Sequence, residues 1–395
     1  MMLTHRACPA WKRRAPLVMV LLVLAAAFWA PAQARQDREL ELALDHVFAL
    51  SEPGAGGSFD AALAAPIVEL VLTREPDGPD AFKPQPRNGC QGAYDAFTVR
   101  MGLPRMLQYL YNPKIPAHVM KPASLRSTTW LAAGQQGARL PRLWEALDGL
   151  GAPRVVQGLQ QDTITPDQHS GAYYSYDLGR ALILYRQGTR TVLLSVSRQV
   201  EASNVGRKGA VVGPDEQWNY LYSREKGLTI RGLGWVDSRI YEYSSILAYV
   251  WEEGRQSVRM GILQWLRAGW AGINVVKSKH IQNGLKRFQR DTRDILESPH
   301  LPEPRDLARA FERLGSLSRD ELRGMYRPVV TGLLELVEQA PGDYPKVLVQ
   351  ELRGGGYLEG MTREELVNAL MVEVMKAALG KKTAGGRTEI ASLLR

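Results

Sequence analysis

The sequence predicts an α+β protein, an antiparallel sheet covered by helices and followed by an all-helical C-terminal unit, on three observations. Residues 170–253 form the one long region with strand patterning. The segments on either side of it repeat apolar residues at helical spacing. A break with three prolines, Pro299, Pro302 and Pro304, then separates the sheet region from a stretch that reads as helix throughout. The expected organisation is a signal peptide over 1–34, an α+β domain over 35–298, a helical domain over 303–380 and a flexible tail over 381–395.

In chain order, Arg6, Lys12, Arg13 and Arg14 form a basic leader without an acid, Leu17–Ala30 is an apolar run, and Ala32-Gln33-Ala34 has the small-x-small form of a signal-peptidase site. Cleavage after Ala34 and export to the periplasm or beyond are expected. Residues 35–50 have helical spacing, and 61–72 suits a helix or a strand. Pro76 to Asn88 holds four prolines and reads as an extended loop. A short helix is expected from Gln91, carrying Tyr94, Phe97 and Val99, then a strand over 124–131 and a helix over Leu140–Leu150.

The central sheet rests on Tyr173–Tyr185 and Thr191–Ser197, two runs rich in β-branched, aliphatic and aromatic residues joined by Gln187-Gly188-Thr189. Ala181-Leu182-Ile183-Leu184 is apolar at every position, which fits a strand covered on both faces. Trp218, Tyr220 and Tyr222 alternate, as do Tyr241, Tyr243, Ser245, Leu247, Tyr249 and Trp251, so several rings fall on one side of the sheet. That side either lines a ligand cavity, with Trp218, Tyr220, Tyr222, Tyr241 and Tyr243 as its binding residues, or packs as core.

Val258, Ile262, Leu266 and Trp270 fall four apart, and Ile281, Leu285, Phe288, Thr292 and Ile295 step by four and three; both segments are expected as amphipathic helices. Further on, Ser318 with Glu321 and Thr362 with Glu365 have capping-box spacing. The surrounding Leu317–Leu322 and Met361–Leu366 are alike at a separation of 44 residues, which reads either as capping chemistry used twice or as an old duplication. Leu366, Leu370, Val374 and Met375 give the last helix a stripe to bury, and Gly380 ends it.

Composition narrows the function. With the leader removed, four basic residues and no acids are lost, taking the formal charge from +9 to +5, too small an excess for dedicated nucleic-acid binding. Cys90 is then the one remaining cysteine, so no internal disulfide is expected. The six histidines are scattered and form no metal-ligand spacing; neither a metal nor another cofactor is expected. Arg207 and Lys208 lie in a basic glycine-rich segment, Asn204–Gly209, whose amides and ammonium suit an anion. Lys277, Lys279, Lys286, Arg287, Arg290 and Arg293 give one helix a cationic side that suits weak contact with an anionic membrane surface.

Arg87-Asn88-Gly89-Cys90, followed by Tyr94, Arg100, Gly102, Leu103, Pro104 and Arg105, resembles the nucleophile helix of transglutaminase-like proteins over about 20 residues. The resemblance implies a cysteine hydrolase or acyltransferase with Cys90 as nucleophile and His118, the nearest downstream histidine, as its base. A thiol at a helix start beside arginine has its pKa lowered, which is the chemistry such an enzyme needs. No aspartate follows in the family's arrangement, so the triad is incomplete. The reading favoured from the residues is therefore an exported envelope protein that binds an apolar or mixed ligand, or a protein partner, without catalysis; the cysteine enzyme is its alternative.

Overall fold

The computed structural model describes residues 35–395 except 55, 78–80, 135–136, 138, 167–170, 231–233, 340–341, 343, 387–392 and 395. The expected leader and cleavage site thus lie outside the described residues. The chain is α+β, and its organising element is an antiparallel sheet. Its strands are β1 (Gln91–Val99), β2 (Leu125–Ala133), β3 (Arg154–Ile164), β5 (Ser175–Gln187), β6 (Arg190–Gln199), β11 (Ser238–Glu252) and β12 (Val258–Trp270), in spatial order β1-β12-β11-β6-β5-β3-β2, with the short β13 (Ile273–Asn274) on β12. A small sheet pairs β7 (Arg207–Val211) with β4 (Gly171–Tyr173) and β8 (Tyr220–Lys226), and β9 (Leu228–Ile230) pairs with β10 (Gly234–Val236).

Period two divides the main sheet cleanly. Ala181, Ile183, Val192, Leu194, Val196, Ile246, Ala248, Val250, Leu263 and Trp265 point to an outer face, where they pack with helix α1 (35–49) and helix α2 (Ala61–Thr73). Their alternates Leu182, Leu184, Leu193, Leu247, Tyr249, Val258, Met260 and Ile262 point to an inner face. Covering both faces explains why β5 is apolar at consecutive positions. Asp60 starts α2 by accepting from the amides of Ala62 and Leu63.

The inner face is roofed by helix α4 (Ser278–Leu296), which crosses β1 and β12, and by the C-terminal helices. Before these, α3 (Leu103–Leu110) and a short 3-10 turn at Ala117–Met120 connect β1 to β2. The C-terminal helices are α5 (Pro304–Ser316), α6 (Arg319–Gln339), α7 (Lys346–Arg353), α8 (Gly356–Gly360) and α9 (Arg363–Ala378). They share one hydrophobic core with the sheet rather than closing a second one, since Leu307, Leu322, Leu366, Leu370 and Val374 pack in the same cluster as Phe97, Leu184 and Met260. Polar contacts fasten the two parts. Arg126 on β2 pairs with Glu365 at 2.6 Å, and the fully buried Lys376 binds Glu373 at 2.5 Å and the Asn219 amide oxygen at 2.7 Å.

The repeated segments of the tail do more than cap. Both capping boxes form, Ser318 with Glu321 and Thr362 with Glu365. Beyond them, Arg319 donates to the carbonyls of Met361 (2.7 Å) and Glu359 (2.8 Å), while Arg363 donates to those of Leu317 (2.9 Å) and Gly315. Each arginine grips the residues two and four positions ahead of the other, so the two copies clamp one another reciprocally.

Three expected elements change identity. Gln91–Val99 is strand β1, with Tyr94 and Ala96 outward and Ala93, Phe97 and Val99 inward; both faces are buried, so the alternation was hidden by apolar residues on each side. Val258–Trp270 is strand β12, because a spacing of four is a multiple of two and suits one side of a strand as well as one side of a helix. Leu140–Leu150 holds only a 3-10 turn at Leu143–Ala146. The described part of 381–395 is docked rather than loose: the Lys381 ammonium donates to the Glu216 carbonyl at 2.9 Å and lies 4.3 Å from the Trp218 ring, and Leu393 is buried.

That docking needs two glycines at a close crossing. A Cβ on Gly332 of α6 would lie 1.8 Å from the Ala384 carbonyl oxygen, and one on Gly385 would lie 2.6 Å from the Val329 amide nitrogen. Replacing Gly332 by leucine is therefore expected to push residues 381–386 off α6 and to destabilise the fold by about 1–3 kcal/mol. Limited trypsin cleavage at Lys381 and Lys382 should become several-fold faster than in the wild type.

Candidate functional site

A cavity of about 1250 Å³ lies between the inner face of the main sheet and its helical roof. Its floor comes from β2, β3, β5, β6, β11 and β12; its walls come from the 110–125 connection, from Ile281, Leu285 and Phe288 of α4, and from Val367 and Asn368 of α9. Gly315 and Arg363, which take part in the reciprocal clamp, stand at one end.

Strand register decides the chemistry of that floor. Arg180 pairs with Ser197, Ser197 with Ser245, and Ser245 with Gln264, so one polar row runs across β5, β6, β11 and β12. Apolar residues flank it: Leu247 and Ile262 on one side, Leu178, Tyr243 and Leu266 on the other. The Arg180 guanidinium donates to Ser197 Oγ at 2.5 Å and Ser195 Oγ at 2.8 Å and lies 5.7 Å from the Trp130 ring. Asp162, next along the floor, accepts from Thr128 Oγ1 at 2.8 Å and Gln160 Nε2 at 2.6 Å. Tyr243 donates to Ser245 Oγ at 3.0 Å. The cavity thus has an apolar body with a few convergent polar groups, the usual make-up of a small-molecule site.

Titration in this region follows burial. Desolvation and the nearby Arg180 charge push the Lys121 ammonium down to about 8, with Asp162 opposing them. His118 is 1% exposed; desolvation lowers it to about 4, against the bond its Nε2–H donates to the Asn368 carbonyl at 3.3 Å. It is a neutral imidazole joining the 3-10 turn to α9.

The residues singled out in the sequence disperse. Among the five aromatic candidates, Tyr243 lines the cavity and the other four do not. Trp218, in a left-handed conformation at φ 55°, is buried under Lys381. Tyr220 donates to Asp215 and accepts from Arg287 at 2.8 Å, and Tyr222 carries Arg126 4.1 Å from its ring centre. Tyr220 and Tyr222 belong to the small sheet and Trp218 caps the 3-10 turn before it; all three serve packing. Tyr241 leaves the series because a bulge between Ile240 and Glu242 shifts the register; Ile240 takes the inner side, and Tyr241 lies beside Arg267 and accepts from the Gly272 amide.

Arg207 and Lys208 stand on strand β7 rather than in a loop, and Lys208 pairs with Glu225 at 2.7 Å. On α4, Lys286 pairs with Asp77, Arg287 and Arg290 with Asp215, and Arg293 donates to the Thr98 carbonyl. Most of that helix's cationic side is therefore spent inside the molecule. No described helix is long and apolar enough to cross a membrane.

Cys90 does not open a helix. It precedes β1 on the outer face, packed with Trp265 and Phe48, and is 1% exposed. Burial, with the Glu242 charge second and Arg267 opposing, pushes its thiol up to about 12, the reverse of an activated nucleophile. His118 stands on the roof of the inner face, so the sheet separates the two residues. The floor residues Arg180, Ser195, Ser197 and Asp162 escaped the sequence reading. Their signal was a lone arginine at an inward position of β5 facing serines at inward positions of β6 and β11, and it is readable only once the register is known.

Compared with known proteins, the chain matches no protein-family model and no curated protein sequence.

Two outcomes follow from these geometries. Cys90 should resist iodoacetamide near neutral pH in the folded chain and react only after denaturation, as quantified by mass spectrometry. His118 is depressed in the folded state, so its neutral form contributes stability that is fully present above its unfolded pKa of about 6.5 and lost as pH falls through about 4. Wild type should accordingly lose about 3 kcal/mol more than His118→Gln between pH 7 and pH 4 in urea unfolding.

Proposed function

We propose that this chain is an exported, non-enzymatic binding protein that holds a small molecule of mixed polarity, with an apolar body, between its main sheet and its helical roof. The observation that carries this reading is the cavity of about 1250 Å³, which exceeds the roughly 300–1,000 Å³ of common ligand sites and is lined by aliphatic and aromatic side chains around one polar row. The apolar leader with its small-x-small end supports export. The cysteine-enzyme alternative draws no comparable support, since it needs an accessible thiolate and a neighbouring base.

Ligand capture by such a site relies on apolar area removed from water, and the wall formed by Leu178, Leu247, Ile262 and Leu266 offers that area. Trp130 lines the same space and serves as a reporter. The neutral dye N-phenyl-1-naphthylamine is expected to bind saturably, with a rise in its own emission and quenching of tryptophan. Ala268→Trp, which fills part of the cavity from β12, should weaken the dye at least ~10-fold, the effect of about 1.4 kcal/mol. Absence of saturable dye binding by the wild type would overturn the proposal.

A further inference from the structure

Resting on cavity binding as proposed above, we infer that the ligand carries a single carboxylate head, seated by Arg180 and Lys121, with its apolar body along Leu178, Leu247 and Leu266.

The first ground is the charge inside the cavity. A guanidinium offers five N–H donors. Among the described residues, two of those of Arg180 are used, both on neutral serine hydroxyls, and its Nε–H has no partner. Arg180 is 9% exposed, so water does little to compensate it. The Lys121 ammonium lies 5.9 Å from the centre of the Phe288 ring and has no side-chain hydrogen bond to a described residue. No described carboxylate comes within ion-pair distance, 4 Å, of either cation.

Asp162 is the one acid that acts on this pair from the floor, and its Oδ1 is already engaged by Thr128 and Gln160. The remaining charged groups on the lining stand apart: Arg287 is neutralised by Asp215, Arg363 is engaged with backbone carbonyls, Arg139 and Glu364 are solvent-exposed and of opposite sign, His280 is exposed, and His118 is neutral. At the floor two cations thus face one carboxylate, and the other polar groups there, Ser195, Ser197, Ser245 and Gln264, are neutral. Buried charge of that kind is unfavourable until an opposite charge joins it. An excess of one positive charge matches a monoanion better than a dianionic phosphate.

The second ground is placement. Arg180 ends the polar row and Lys121 lies near enough to feel its charge, while the cavity extends past the row along aliphatic residues on both flanks. An amphiphile can therefore bury its chain and neutralise its head in one pose. The Lys121 ammonium, depressed first by desolvation and then by repulsion from Arg180, fits this picture, because an incoming anion relieves the repulsion.

The test is displacement of N-phenyl-1-naphthylamine from the full mature chain by hexadecanoic acid, hexadecan-1-ol and hexadecyl phosphate, each below its aggregation threshold. Wild type should bind the acid at least ~10-fold tighter than the alcohol, the discrimination expected of a charge-assisted hydrogen bond. Arg180→Gln and Lys121→Met should each bring the acid-to-alcohol ratio towards one; if loss of Arg180 prevents folding, Lys121→Met carries the comparison. Equal binding of acid and alcohol by wild type, an unchanged ratio in Lys121→Met, or tighter binding of the phosphate would overturn the carboxylate assignment. A wild-type chain that binds the dye but shows no preference refutes the head alone, whereas one that binds neither dye nor amphiphile refutes the cavity-binding reading beneath it.

Discussion

The whole molecule depends on alternation in one antiparallel sheet whose central strands, β5, β6, β11 and β12, are buried on both sides. Every strand must present two sets of side chains to two separate surroundings, and a register slip of one residue would exchange them. On the outer side the solution is conventional: aliphatic residues, Tyr94 and Trp265 meet α1 and α2. On the inner side the same alternation places Leu182, Leu247 and Ile262 in one row and Arg180, Ser197, Ser245 and Gln264 in the next. A protein interior is normally filled to crystal-like density, so a retained space with a polar row at its base marks a place where packing has given way to something else.

The helical roof explains how that space survives. Helix α4 is fastened along its basic side by Asp77, Asp215 and the Thr98 carbonyl, and the C-terminal helices are fastened by Arg126–Glu365, by Lys376 and by the reciprocal Arg319 and Arg363 clamp. Many of these contacts are charge-assisted and directed at backbone carbonyls, which sets the orientation of a helix as well as its attachment. Held in this way, the roof packs on the sheet at β1 and β12 and leaves a cavity over the polar row. Of the basic residues that suit a membrane surface when read in sequence, Lys286, Arg287, Arg290 and Arg293 are structural ties in three dimensions.

Several features were legible in the amino-acid order because they follow from local rules. The hairpin of β5 and β6, the amphipathic pattern of α4, both capping boxes and the glycine stop after α9 each depend on residues near one another in the chain. The two strands read as helices have alternation that the sequence hides. Strand β12 shows apolar residues four apart, which both periodicities allow, and β1 is apolar on both sides, which erases alternation altogether. The bulge at Ile240/Glu242 likewise removes Tyr241 from a face that unbroken alternation would give it.

What the sequence by itself determined is the class: α+β, a central antiparallel sheet wanting cover on both faces, and helices able to supply it, because periodicity and capping are properties of short segments. What only the tertiary structure decided is which side chains meet. Cys90 and His118, 28 positions apart in the chain, end on opposite sides of a sheet, while Arg180 and Ser245, 65 apart, fall on one polar row. Strand order and register are set by packing across the whole molecule, and they alone convert scattered serines and a single arginine into the floor of a site.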